Sequence, residues 1–128
     1  MPAWDDYKAE AKARGSLAHE VYVVHSTPAK GPEDLKANLP DHLAYQSKLE
    51  ASGVLMFAGP MSDETGTQMQ GMGLIIFRAA SFEQAHEIAK ADPMHSSGAR
   101  TYTLRKWMIN EGNISVSIAL SGQSVTIN

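Results

Sequence analysis

Cysteine is absent from the sequence, which excludes disulfides, thiolate metal sites and a cysteine nucleophile. No run of lysine or arginine interleaved with aromatics is present, and the net charge is −3, so no nucleic-acid partner is expected. No apolar stretch approaches the roughly 20 residues of a membrane-spanning helix, and no membrane partner is expected. The opening Met1-Pro2-Ala3-Trp4-Asp5-Asp6 is acidic and lacks the basic-then-apolar order of a secretion signal. These absences set the expectation of a cytoplasmic protein. Histidines at metal-ligand spacing are missing, as is any glycine-rich phosphate loop of the strand-loop-helix kind. No metal and no cofactor are therefore expected. A serine nucleophile in a Gly-x-Ser-x-Gly elbow is also lacking.

What remains is a chain of 128 residues, 43% apolar and 20% charged, the size and balance of one globular domain spanning residues 1–128. Helix formers over residues 4–14, with Trp4, Tyr7 and Ala11 at helical spacing and Gly15 after them, predict an N-terminal helix. Val21 to Val24 is β-branched and aromatic and predicts a strand. Pro28, Gly31 and Pro32 place a loop over 26–34. The next helix is expected to open near Pro40 and to end at Gly53. Leu39, Leu43 and Leu49 share one arc of it, and His42 and Gln46 lie within that arc. An imidazole and an amide on a face meant for burial need partners, because an unpaired polar group there is costly.

Val54 to Ala58 reads as a second, central strand ended by Gly59-Pro60, and residues 61–70 as a polar loop. Met72 to Arg78 reads as a third strand, antiparallel to the second because the link is short. Ser81 and Gln84 match a capping box for a helix to about Ala91, striped by Phe82, Ala85, Ile88 and Ala89. Ala99 to Ile109 predicts a fourth strand. In the tail, Ile114, Val116, Ile118 and Leu120 alternate with small residues, and Val125 and Ile127 alternate again after a turn. That is a hairpin over 113–128 with one apolar face.

The stretch Asp92-Pro93-Met94-His95-Ser96-Ser97-Gly98 joins the second core helix to the last strand. It gathers a carboxylate, an imidazole and two hydroxyls where rigid elements flank a loop, a usual place for chemistry. The bland alternative is that Asp92-Pro93 only stops the helix.

Without the first helix and the last hairpin, the order is strand, helix, strand, strand, helix, strand. Two right-handed crossovers make this an α+β, ferredoxin-like split β-α-β fold (βαββαβ), one antiparallel sheet with two helices on one face. The other face is left uncovered, so a homodimer stacked sheet to sheet is expected, an arrangement of the dimeric α+β barrel type. In this fold His42 and Asp92 can meet at one end of the helical face.

The chain resembles the YCII-related (YciI-like) family. The resemblance rests on His42-Leu43, on Gly53 and Leu55 before Gly59-Pro60, on Ser81 and Ala85, and on Asp92-Pro93 with Gly98. It covers about residues 20–109 and leaves the terminal helix and hairpin outside. It implies a small, often dimeric α+β protein in which His42 and Asp92 form the active-site pair. Because one member dehydrochlorinates chlorinated hydroquinones, it also implies lyase or isomerase chemistry on a small, aromatic substrate.

Two functions follow. In the first, His42, oriented by Asp92, moves a proton as general base, while His95, Ser97, Arg100, Tyr45 and Gln46 bind an anionic or phenolic substrate. In the second, the same pocket binds a small ligand without catalysis, and His42 and Asp92 dock a helix.

Overall fold

The computed structural model describes residues 1–128. The chain divides into two compact units, Glu20–Trp107 and a second assembled from both ends of the chain, Met1–His19 with Met108–Asn128.

The larger unit is built on a four-stranded sheet. Its strands are β1 (His19–Pro28), β2 (Leu55–Ser62), β3 (Met69–Phe77) and β4 (Arg100–Ile109), in the order β2-β3-β1-β4. β3 runs antiparallel to both neighbours, with Tyr22 opposite Phe77 and Val24 opposite Ile75 on one side, and Gly59 opposite Leu74 on the other. The amide of Ala29 donates to the carbonyl of Ala99 at 2.9 Å, tying the end of β1 to the start of β4. The architecture is the expected antiparallel, ferredoxin-like α+β arrangement.

Pleating sends Tyr22, Val24 and Ser26 of β1 to the same face as Ile75 and Phe77 of β3. There Tyr22, Val24, Ile75 and Phe77 pack with Ala85 and Ala89 of helix α3 (Phe82–Ala91). Ser81 caps α3 by accepting from the Gln84 amide at 3.0 Å. Helix α2 (Pro32–Ala51) lies on the same face, its Tyr45 hydroxyl donating to the Ile88 carbonyl at 2.7 Å.

Several expected boundaries move. α2 starts at Pro32, not near Pro40: Gly31 and Pro32 take the cap and first helical positions, with Glu33 and Asp34 favouring the positive helix end. Pro40 therefore sits inside the helix, where it has no N–H to donate. The loop predicted over 26–34 shrinks accordingly. β2 is an edge strand rather than a central one, and it continues through Gly59-Pro60. An edge explains this, since a proline that cannot donate is tolerated where one side of the strand has no neighbour. Leu39 and Leu43 are not buried but 44% and 54% exposed. The sheet face away from the helices is also not wholly bare: Val21, Val23 and Ile76 are buried within the single chain, whereas Phe57 and Trp107 stay half exposed.

In the smaller unit, helix α1 (Trp4–Ala13) buries Ala11 with Ala18 and Met108, and Trp4 and Tyr7 pack against that cluster. Strands β5 (Val116–Ala119) and β6 (Ser124–Ile127) pair antiparallel as the predicted hairpin, with Ile118 opposite Val125.

Candidate functional site

Asp92 follows the last residue of α3, and Pro93 bars that helix from continuing. One further turn, helix α4 (Pro93–Ser96), begins there, and the Asp92 carboxylate caps it by accepting from the Met94 amide at 2.9 Å. The carboxylate is 2% exposed and carries three more hydrogen bonds. His42 Nδ1 lies 2.8 Å from both Asp92 oxygens, and Gln46 Nε2 donates at 3.3 Å. Burial alone pushes the Asp92 carboxyl up, but the bonds from His42 and Met94 and the nearby His42 and His95 outweigh it and hold it below the usual carboxylate range. An ionised carboxylate only accepts, so His42 Nδ1 carries a hydrogen, and in the neutral ring Nε2 is the accepting nitrogen. That nitrogen makes no hydrogen bond within the chain.

His42 lines a cavity of about 1050 Å³ between α2 and the β2–β3 side of the sheet. Leu39, Leu43, Leu55 and Ile75 give it apolar walls, and Ser26, His42, Gln46 and Arg100 supply polar groups. This is why the leucine stripe of α2 is exposed: it lines a cavity instead of closing a core. The space is of the size and character of small-molecule sites.

Arg100 opens β4 on the helical face of the sheet. Its Nε donates to Ser26 Oγ at 2.8 Å, and its Nη2 donates to the Ser26 carbonyl at 2.7 Å and to the Gly71 carbonyl. Gly71 can turn this carbonyl inward because it adopts φ +87°, and a Cβ there would lie 2.9 Å from the Pro28 ring. His95, on α4, lies 2.8 Å from Ser26 Oγ through Nε2 and 2.7 Å from the Ala89 carbonyl through Nδ1. Burial holds its imidazole below the ordinary value, the Ala89 bond and Asp92 opposing this only in part.

The structure thus brings His42, Gln46 and Arg100 to one cavity, with Asp92 directly behind His42 and His95 behind Ser26. It does not bring Ser97 or Tyr45 there. Ser97 Oγ is used within its own turn, bonding the Met94 carbonyl and the Ala99 amide. Tyr45 is spent on Ile88, and its phenol is pushed up by burial and then by Asp92. Ser26 was missed by sequence reasoning, although it continues the inward alternation of Tyr22 and Val24 as a lone hydroxyl, which demands a buried partner. No group of three or more His, Asp or Glu side chains is placed to hold a metal ion, and no helix is long and apolar enough to cross a membrane.

The fold and this site define a small α+β protein with an imidazole–carboxylate pair at a ligand-sized cavity. The YCII-related domain model matches residues 20–108, and the chain belongs to that family. It is 34% identical over 70 residues, 55% of this chain and 75% of the relative, to the uncharacterized protein YjpA of Bacillus subtilis (strain 168). Its fold is similar to that of 5-chloro-2-hydroxyhydroquinone dehydrochlorinase (TftG) from Burkholderia phenoliruptrix AC1100, solved in complex with 2,5-dihydroxybenzoquinone. The TM-score is 0.57 at 23% identity, over 68% of this chain and 92% of that one.

Proposed function

We propose that the protein is a cofactor-free enzyme acting on a small, aromatic substrate, with His42 as general base and Asp92 as the group that orients it. The observation that carries this is His42 at the cavity wall with Nδ1 bound to a buried carboxylate, which leaves Nε2 as the accepting nitrogen of the neutral ring. A proton taken there from substrate is the first step of lyase, dehydrochlorinase and isomerase reactions alike. The Asp92 charge stabilises the imidazolium that forms. The fold shared with a dehydrochlorinase supports the substrate class. Gln46 and Arg100 are the substrate-binding candidates that the cavity retains.

We infer as well that residues 1–128 act as one YCII-related domain and that the working form is a cytoplasmic homodimer. Phe57 and Trp107, on the two edge strands, remain 52% and 45% exposed on the sheet face away from the helices, apolar area of the kind that association covers.

The test is turnover of chlorinated hydroxyhydroquinones, followed by chloride release. His42→Ala is expected to lose about 10²–10⁴-fold in kcat while the protein stays folded. Binding of 2,5-dihydroxybenzoquinone without turnover of any such compound would instead establish the non-catalytic, ligand-binding reading.

A further inference from the structure

The second imidazole of the site has the same proton arrangement as the first. A backbone carbonyl can only accept, so the 2.7 Å contact with Ala89 places the hydrogen of His95 on Nδ1. Burial keeps this ring neutral at pH 7, so Nε2 is an acceptor. Ser26 Oγ, 2.8 Å away, must then donate its only proton to it. The Arg100 Nε–H donates into one lone pair of the same oxygen. One lone pair of Oγ is left, and Ser26 lines the cavity. Arg100 lines it too and forms no ion pair, and its Nη1 makes no hydrogen bond within the chain. Asp92 acts on this half-buried cation only from a distance, its oxygens being engaged by His42, Gln46 and Met94, so the guanidinium has no anion in contact with it.

We propose that Ser26 is a second proton-transfer residue, relaying to His95 the proton of a substrate hydroxyl whose oxyanion Arg100 then holds. The proposal rests on the cavity being the substrate site, and it names the substrate class: a phenol or enol. The substrate O–H bond breaks, and its proton joins Ser26 Oγ. The original Ser26 proton forms an N–H bond at His95 Nε2, and the electron pair stays on the substrate oxygen facing the Arg100 guanidinium. Ser26 touches substrate in this step, and His95 acts through it. The cavity therefore holds two bases, His42 acting directly and His95 acting through a hydroxyl.

The probe is 4-nitrophenol, whose anion alone absorbs visible light, added at a pH where it is mostly neutral in solution. Wild-type protein is expected to bind it as the phenolate. His42→Ala should keep that signal, whether or not turnover depends on His42. Ser26→Ala and His95→Gln should each lower the bound phenolate-to-phenol ratio about tenfold or more, while Ser26→Thr, which keeps the hydroxyl, should retain it. Loss of the signal in His42→Ala with retention in Ser26→Ala assigns the proton to His42 and overturns the relay. Wild-type protein that binds only the neutral phenol, or leaves the probe unbound, overturns it too. Imidazole nitrogen NMR of the wild type needs no variant to fold. His95 is expected as the Nδ1–H tautomer, gaining an Nε2 proton when the probe binds; an Nε2–H tautomer in the free protein overturns the proposal.

Discussion

His42 Nδ1 and the Asp92 carboxylate meet at 2.8 Å across 50 positions of sequence, and the same carboxylate caps the turn that carries His95. One buried anion thus fixes the His42 ring and holds the neighbouring turn in shape. If the function proposed above holds, capping the turn and orienting a base are two uses of one side chain.

Asp92→Asn separates them. The amide oxygen can still accept from Met94, but the amide nitrogen must donate to His42, which turns that ring into its Nε2–H tautomer. We expect a folded protein with a loss of activity as large as that of His42→Ala, and a double variant little worse than either, because residues acting as a unit are not additive. Asp92→Ala should in addition lose about 3–5 kcal/mol of stability as the buried pair breaks. Denaturant melts beside kinetics distinguish the two. An Asp92→Asn variant with full turnover removes the orienting role.

The depressed value of His95 has a signed consequence. The unfolded chain binds a proton there at higher pH than the folded protein does. The stability contributed by the neutral ring is therefore complete above about pH 6.5 and is lost as the pH falls through the lowered folded value. Asp92 is likewise held low, and its contribution is lost only below the ordinary carboxylate range, near pH 4. Melting temperatures are expected to decline from about pH 6.5 towards 4 in the wild type and to be flatter there in His95→Gln. Equal slopes in the two proteins would show that another group is responsible.

Pro40 lies inside α2, where it forfeits the helical hydrogen bond to the Lys36 carbonyl. Pro40→Ala is expected to stabilise the protein by about 1–3 kcal/mol, the usual penalty of an interior proline less the entropy it removes from the unfolded chain. Urea unfolding measures this. A loss of stability would mean that the proline sets a bend on which the cavity wall depends.

Light scattering at micromolar concentration is expected to give the mass of a dimer. Trp107→Glu should shift that mass towards the monomer, since it places a charge on the half-exposed apolar face. Deleting residues 112–128 should weaken association as well, because β5 and β6 leave Val116, Ile118, Val125 and Ile127 at least 55% exposed. A monomer mass for the unaltered protein would end the dimer reading.

Local patterns carried much of the fold. The capped stripe of α3, the alternation of the tail and the β-branched run of β1 each specify an element through short-range sterics and burial, which sequence spacing records directly. The His42–Asp92 meeting was legible because strand-helix order limits the topology, and an imidazole on an apolar helix face must find a partner. Element ends and roles were decided elsewhere. Whether Gly31-Pro32 or Pro40 opens α2, and whether Gly59-Pro60 ends β2, depends on which strand lies at the sheet edge and on what packs along the helix. Those are long-range facts that propensity does not encode. Only the tertiary structure turned Tyr45 and Ser97 away from the cavity and set Ser26, His95 and Arg100 around one hydroxyl. A hydrogen bond across 69 positions depends on a backbone already folded, whereas a cap depends on its own turn.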